Sequence, residues 1–257
     1  MFFDDLPLWG IFLITVALSL LAIEAGFIGE RRRLRQAGQK PRVPGAMVGA
    51  TTGLLAFMLA FTFSSAADRH DVRKALVMEE ANAIGTVWLR AGLLPEPYRA
   101  DVRGLLREYV DLRARAAQAD NVEVEQALRQ SDALQATLWA KAAEIGQKNP
   151  GLITVGLFIQ SLDEMIDLHL KRVTVGMRDR IPATIWVVLY VLACLAMGMM
   201  GSQAGVSESR HFFMELALAL SFSVVLFLIV DLDRPQQGLI RVSQQAMVEL
   251  QDKLNAP

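Results

Sequence analysis

Two phenylalanines four residues apart, Phe57 and Phe61, are the side chains whose type and spacing suggest a function most directly. Three glycines, Gly45, Gly49 and Gly53, precede them at the same four-residue spacing. Four residues advance a helix by about 400°, so such a stripe turns by only about 40° at each step. Aromatic rings repeated on one helix face could narrow the pore of an oligomer. A hydrophobic constriction of this kind gates ions by dewetting. Phe57 and Phe61 are therefore candidate constriction residues.

The same pattern also has an ordinary structural interpretation. Glycines at four-residue spacing let membrane helices approach one another closely, and phenylalanines fill the space between helices. Both interpretations stay open at this point. If there is a pore, the neighbouring side chains would share its surface; these are Leu54, Met58, Ser64 and Ser65.

Polar side chains follow this aromatic stretch. Glu79, Glu80 and Asn82 could bind a cation or line a vestibule. Alternatively, the two glutamates are solvated or form ion pairs with Arg73 or Lys74.

The sequence offers little support for an enzyme. Asp163 and Asp167 share a helix face with His169 nearby, but metal binding needs more ligands at suitable spacing. A glycine-rich phosphate loop, a serine elbow and zinc-ligand spacing are all absent from the sequence. We therefore expect a protein without catalytic activity, metal or cofactor. The net charge of −1 gives no support for a nucleic-acid partner.

The elements that must position these residues are long apolar segments. Uncharged runs cover residues 6–23, 43–67, 181–207 and 216–230, although 21% of all residues are charged. A helix of about 20 apolar residues crosses a bilayer. We predict a multi-pass membrane protein with spans at about 7–28, 44–67, 182–201 and 212–231.

The charged residues concentrate between the second and third spans. Helical periodicity without strand alternation predicts an all-α fold, in which residues 68–180 form an extramembrane helical bundle. Residues 1–67 and 181–232 would form two transmembrane hairpins, and residues 233–257 an amphipathic C-terminal helix. The segment after the fourth span is predicted to stop that helix, with Arg234 pairing either aspartate; its residues are Asp231, Asp233, Arg234 and Pro235.

Cations near the spans bear on orientation. Loop 30–42 carries four arginines close together, then Lys40 and Arg42, which favours a cytoplasmic loop and an external bundle. Further cations flank spans two and three on the other side and oppose this orientation; they include Arg69, Arg73, Lys171 and Arg178. The loop charges tip the balance towards a cytoplasmic loop 30–42.

The segment Leu54–Phe63, followed by Asp68 and Arg69, resembles the pore helix of bestrophin anion channels. More closely, Glu79–Thr86 and Asp231–Pro235 resemble segments of a bacterial family of bestrophin-like membrane proteins. The resemblance implies a homo-oligomer, of pentameric type, that conducts anions such as chloride across the bacterial inner membrane. Phe57 and Phe61 would then line a hydrophobic neck.

The sequence departs from the bestrophin pattern in three respects. Gly53 stands where bestrophins carry a larger apolar residue, which would widen that part of the neck. The acidic calcium cluster of animal bestrophins has no counterpart after Pro235. Bestrophins also hold the middle body in the cytoplasm, whereas the loop charges place it outside. A membrane-anchored sensor or scaffold, whose bundle binds a partner or ligand, is therefore the alternative function.

Overall fold

The computed structural model describes residues 6–37, 45–116, 121–207, 212–234 and 238–256. Throughout these ranges the protein is helical, without β-strands, as the sequence predicts. The α-helices are α1 (Leu8–Ala37), α2 (Gly45–Ala91), α3 (Tyr98–Ala116), α4 (Asn121–Lys148), α5 (Ile153–Lys171), α6 (Ala183–Ser207), α7 (Phe212–Asp233) and α8 (Gln245–Asn255).

The longest helix is α2, which runs for 47 residues without a break. No proline occurs between Gly45 and Ala91, so the apolar segment continues directly into the charged one. Pro95 and Pro97 follow the end of α2, and α3 begins at Tyr98. The helix of the second span therefore continues without interruption beyond Asp68.

Two elements differ from what periodicity predicts. Directly after α5, the chain adopts π-helical geometry over Arg172–Arg178, and α6 begins at Ala183. The C-terminal helix α8 begins at Gln245, whereas the sequence pattern predicts an amphipathic helix over residues 233–257. Residues 238–240 instead fold back onto Asp231, whose carboxylate accepts hydrogen bonds from the backbone amides of Leu239 and Ile240. These hydrogen bonds take the place of the backbone hydrogen bonds that a helix over residues 238–240 would form.

Four of the described helices are long and apolar enough to cross a membrane: α1, α2, α6 and α7. In each of them, less than a third of the most apolar window is buried by the protein itself. Large apolar side chains therefore face outwards along these helices, as expected where lipid or another subunit covers them.

The chain divides into two compact units. The span unit consists of Met1–His70 and Arg180–Arg241, and the bundle unit of Asp71–Asp179 and Val242–Pro257. The core of the span unit joins side chains of α1, α2, α6 and α7, among them Ile11, Leu55, Leu189 and Leu226.

Helices α1 and α6 approach each other closely within the span unit. A Cβ atom on Gly26 would collide with the carbonyl oxygen of Gly198, and one on Gly201 with the carbonyl oxygen of Ile23. The hydroxyl of Ser202 donates hydrogen bonds to the carbonyl oxygens of Gly26, at 3.3 Å, and Gly198, at 3.0 Å. Small residues are thus required on both helices, as in other membrane helix pairs.

The bundle unit has its own apolar core. Side chains from α2, α3, α4, α5 and α8 meet there, and the largest fully buried ones include Tyr109, Phe158, Leu106, Leu138 and Met165. Helix α8 contributes Met247, Leu250 and Leu254 to this core. The C-terminal helix is therefore an integral part of the bundle unit.

Candidate functional site

The two phenylalanines singled out by the sequence lie on an exposed face of α2. Phe57 is 66% exposed and Phe61 65% exposed, which is unusual for rings of this size. Leu54 is half exposed beside them. A Cβ atom on Gly53 would meet no atom within 4 Å. One side of the apolar part of α2 is therefore uncovered within the protomer.

The opposite side of α2 packs into the span unit. Leu55, Leu59, Thr62 and Ala66 are all buried there. Their spacing of three or four residues defines one helix face, which lies roughly opposite Phe57 and Phe61. The hydroxyl of Thr51 also donates to the sulfur of Met199 on α6, at 3.4 Å. The rotation of α2 is thus fixed by packing, and this rotation turns the phenylalanines outwards.

The remaining candidate pore residues are divided between these two sides. Ser64 is exposed, whereas Ser65 is half-buried. Met58 packs against the core of the span unit. The exposed face consequently consists of small residues, then the two phenylalanines, then a serine hydroxyl.

The glycines of α2 do not serve close helix packing at every position. Gly45 lies near the side chain of Gln203 on α6, but Gly49 and Gly53 have open space at the Cβ position. Among the described spanning helices, the tight glycine contacts belong instead to α1 and α6. The sequence stripe in α2 and the close-packing glycines are therefore different sets of residues.

A second cluster surrounds Glu80 in the bundle unit. The Glu80 carboxylate is fully buried and forms ion pairs with Arg113, at 3.2 Å, and with Arg172. The Tyr109 hydroxyl and the His169 Nδ1 atom each lie 3.2 Å from the Glu80 Oε1 atom. A single carboxylate thus joins α2, α3, the end of α5 and the π-helical segment.

Three further contacts extend this cluster. Gln135 on α4 donates to the Tyr109 hydroxyl at 3.0 Å, and the His169 Nδ1 atom lies 2.9 Å from the same hydroxyl. Arg172 donates to the Gln244 side chain, which immediately precedes α8, at 2.6 Å. The polar network therefore links four helices, the π-helical segment and the residue that precedes α8 within the bundle unit.

The electrostatics of the cluster follow from this geometry. Burial alone would raise the pKa of Glu80, but the charge of Arg113, the hydrogen bond from His169 and the charge of Arg172 together hold it far below its ordinary value. Burial and the neighbouring Glu80 charge raise the pKa of Tyr109. Glu80 is therefore ionised, and Tyr109 keeps its hydroxyl proton, at physiological pH.

The neighbouring acid behaves differently. Glu79 is half exposed and has Lys171 at 3.9 Å, a long ion pair. With Asn82 it lines an open groove of about 750 Å³ in the bundle unit, whose other acidic residues are Asp163, Glu164 and Asp167. Among the described residues, no group of histidine, cysteine or acidic side chains could hold a metal ion. The groove is acidic but lacks a ligand cage.

The segment after α7 is organised by its two aspartates. Asp231 accepts from the amides of Leu239, at 2.8 Å, and Ile240, at 3.0 Å, while Asp233 accepts from the amide of Ile181, at 3.0 Å. Arg234 donates to the carbonyl oxygen of Leu6 at 2.7 Å. Pro235 lies outside the described residues. α7 ends at Asp233, within this segment. Asp233 accepts a hydrogen bond from the backbone amide just before α6, and Asp231 accepts from the amides of residues 239 and 240.

Sequence reasoning missed most of the buried network. Tyr109, Arg113, Gln135 and Arg172 were not candidates, because each occurs in an ordinary amphipathic pattern. The only signal available in the sequence was the adjacent pair Glu79 and Glu80. Side chains at adjacent helix positions point in different directions, so the two carboxylates must have different surroundings. The partners of Glu80 are Arg113 and Arg172, distant in sequence, rather than the nearby Arg73 or Lys74.

The fold and site together define a class: an all-α membrane protein with several helical spans and an uncovered aromatic face on one of them. A family model of the bestrophin-like domain matches residues 11–247. The chain therefore belongs to the bestrophin-like family, and it is a multi-pass membrane protein.

Solved structures agree with this assignment at the level of the fold. A bacterial bestrophin homologue from Klebsiella pneumoniae, solved by Zn-SAD phasing, has a TM-score of 0.66 at 16% identity, with 95% of this chain and 96% of that chain covered. A point variant of a Klebsiella pneumoniae bestrophin homologue has a TM-score of 0.66 at 17% identity, covering 97% and 99%. A crystal structure of another membrane protein variant has a TM-score of 0.69 at 16% identity, covering 96% and 97%. No curated protein matches the sequence.

Proposed function

We propose that this protein is an oligomeric, anion-conducting channel of the bestrophin type, in which α2 lines the pore. The observation that carries the proposal is the exposed face of α2, where Phe57 is 66% and Phe61 65% exposed among the described residues. Membership of the bestrophin-like family supports the same function. In a ring of subunits, this face would surround a common axis, and the rings would form a hydrophobic constriction.

The chemistry of the exposed face suits a dewetting gate rather than a charged filter. Residues 45–67 carry no charged side chain, so the narrow part of the pore would contain no fixed charge. Ions would pass only after shedding part of their hydration shell at the phenylalanines. Gly53, one turn away, leaves the next position of the same face open. The constriction would therefore consist of two aromatic rings per subunit.

The assembly and location belong to the same proposal. Self-association into a pentamer would bring copies of α2 around one axis, and the subunit would reside in the bacterial inner membrane. The bundle unit would lie outside the bilayer, because it carries most of the charged residues of the chain. Loop 30–42 would face the cytoplasm, in keeping with its arginines. Labelling of cysteines introduced on either side, in intact cells, tests this orientation.

The decisive experiment is chloride efflux from proteoliposomes that contain the purified protein. Replacement of both Phe57 and Phe61 by alanine removes the aromatic rings and should raise basal efflux severalfold. The matched control is Phe212→Ala with Phe213→Ala, since these two adjacent rings are also exposed, but on α7. This control should leave efflux unchanged.

Each alternative result has a definite meaning. An equal rise in both double variants would show that loss of any exposed aromatic rings loosens the protein, and the constriction would be wrongly assigned. Absence of efflux from every variant, with protein shown to be folded and inserted, would favour the sensor or scaffold function instead.

A further inference from the structure

His169 lies in the bundle unit between two acidic side chains. Its Nδ1 atom is 3.2 Å from the Glu80 Oε1 atom, and its Nε2 atom is 3.5 Å from the Asp132 Oδ1 atom. The imidazole is almost completely buried, whereas the Asp132 side chain is 69% exposed. One edge of the ring thus faces the buried network, and the other faces a carboxylate at the surface.

The groups around His169 come from every element that packs against it. Glu80 belongs to α2, Tyr109 and Arg113 to α3, Asp132 and Gln135 to α4, and Arg172 to the π-helical segment. Arg113 and Arg172 both bind Glu80 directly. The two positive charges of the arginines thus balance the two negative charges of the carboxylates that flank the ring.

The position of the ring proton decides what Nδ1 can do. A neutral imidazole carries one N–H, so Nδ1 is a donor in one tautomer and an acceptor in the other. The Asp132 carboxylate, 3.5 Å from Nε2 but without a hydrogen bond to it, favours the proton on Nε2 by its charge, and Nδ1 is then an acceptor. The Tyr109 hydroxyl, 2.9 Å away, can then donate to Nδ1.

A second ring proton changes this arrangement. Both nitrogens then carry a proton, so Nδ1–H can donate to Glu80, while the Asp132 carboxylate stays 3.5 Å from Nε2 as a nearby opposite charge. The Tyr109 hydroxyl loses its acceptor on the ring and can turn to the Glu80 Oε1 atom, at 3.2 Å. Gln135 donates to the hydroxyl oxygen in either arrangement. The Tyr109 proton therefore has two alternative acceptors.

We propose that His169 is a protonation switch of the bundle unit, in which gain of the second ring proton turns the Tyr109 hydroxyl from His169 to Glu80. Imidazole is the side chain whose charge changes between about pH 5 and 8 when it is unperturbed. The switch acts on the carboxylate that also holds Arg172, and Arg172 in turn holds Gln244 ahead of α8. The protonation state of His169 is thus coupled, through Glu80 and Arg172, to the π-helical segment and to the start of the C-terminal helix.

Two of the other groups are suited to these roles. The charges of Arg113 and Arg172 help to keep the pKa of Glu80 low despite its burial, so that Glu80 accepts in both arrangements. Burial keeps the pKa of Tyr109 high, so that its hydroxyl always has a proton to donate.

The test measures deuterium exchange at the imidazole C2 position of His169, by mass spectrometry, in the full-length protein in detergent from pH 5 to 8.5. This readout does not depend on ion flux, so it remains informative even if the channel proposal fails. Asp132→Asn removes the partner of the charged ring and should move the half-point of the exchange curve to lower pH, by about one unit. Tyr109→Phe removes the donor to the neutral ring and should move it to higher pH.

Asp163→Asn is the matched control, since it removes an exposed carboxylate from the same helix as His169. It should leave the half-point unchanged. Opposite shifts in Asp132→Asn and Tyr109→Phe would support the switch. A wild-type curve without any titration over this pH range would overturn it, and so would an Asp132→Asn curve that matches the control.

Discussion

Glu80 and Arg113 form an ion pair that is almost completely shielded from solvent. Their side chains are 0% and 4% exposed, and the Glu80 Oε1 atom lies 3.2 Å from the Arg113 Nε atom. The pair joins α2 to α3 inside the bundle unit. A buried charge that loses its partner is costly, so this contact makes α2 sensitive to changes on another helix.

Loss of the Glu80 charge should therefore destabilise the protein strongly. Glu80→Gln leaves Arg113 and Arg172 buried without their counter-ion, at a cost of about 3–5 kcal/mol. Thermal unfolding in detergent measures the effect as a lower midpoint. The adjacent Glu79→Gln is the control, because Glu79 is half exposed and should change stability by less than about 0.5 kcal/mol. Equal midpoints for the two variants would contradict the role of the buried pair.

The same carboxylate should make stability depend on acid. The pKa of Glu80 is lower in the folded protein than its ordinary value, so its contribution is fully present above the unfolded pKa. This contribution is lost progressively as the pH falls below about 5, where the unfolded chain binds the proton first. Unfolding midpoints measured from pH 7 to pH 3 should fall more steeply for the wild type than for Glu80→Gln. Parallel curves would show that other carboxylates dominate.

The glycines between α1 and α6 should tolerate no side chain. A methyl group on Gly26 or Gly201 would collide with a backbone carbonyl of the facing helix, at a cost of about 1–3 kcal/mol or more. Gly26→Ala and Gly201→Ala should each lower the unfolding midpoint in detergent. Gly53→Ala should not, since its Cβ atom would meet open space. A midpoint drop of similar size in all three would indicate a helix-wide effect rather than a local collision.

Under the channel proposal, Gly53 offers a way to narrow the pore. Gly53→Leu adds an apolar side chain to the same face as Phe57 and Phe61, at a position whose Cβ atom meets no atom within 4 Å. We expect basal chloride efflux to fall severalfold in proteoliposomes, with the unfolding midpoint kept. Leu54 is already exposed nearby, so Leu54→Ala provides the converse variant and should raise efflux modestly. Unchanged efflux in Gly53→Leu would place this part of α2 away from the pore.

The return of the chain after α7 should depend on Asp231. Asp231→Ala leaves the amides of Leu239 and Ile240 without their acceptor, and unsatisfied amides of this kind cost about 1–3 kcal/mol. Gly238→Ala should act similarly, because its Cβ atom would collide with the Asp231 carboxylate. Limited proteolysis near residues 238–241 should become faster in both variants. Asp252→Ala, at an exposed position of α8, should leave the cleavage rate unchanged.

Much of the fold was predictable because its determinants are local. A run of apolar residues of the length of a bilayer, such as residues 43–67, specifies a spanning helix whatever surrounds it. The absence of proline from Gly45 to Ala91 likewise predicts the uninterrupted α2. The start of α8 was not predictable, because it depends on hydrogen bonds between Asp231 and residues eight and nine positions further along.

The sequence by itself determined the class of the protein, the helical spans and the phenylalanine pair on α2. Only the tertiary structure decided which side of α2 is covered, because that depends on the rotation of the helix against α6. It also separated Glu79 from Glu80, placing one in an open groove and the other in a buried network. Adjacent helix positions point about 100° apart, so packing against distant residues assigns each side chain its environment.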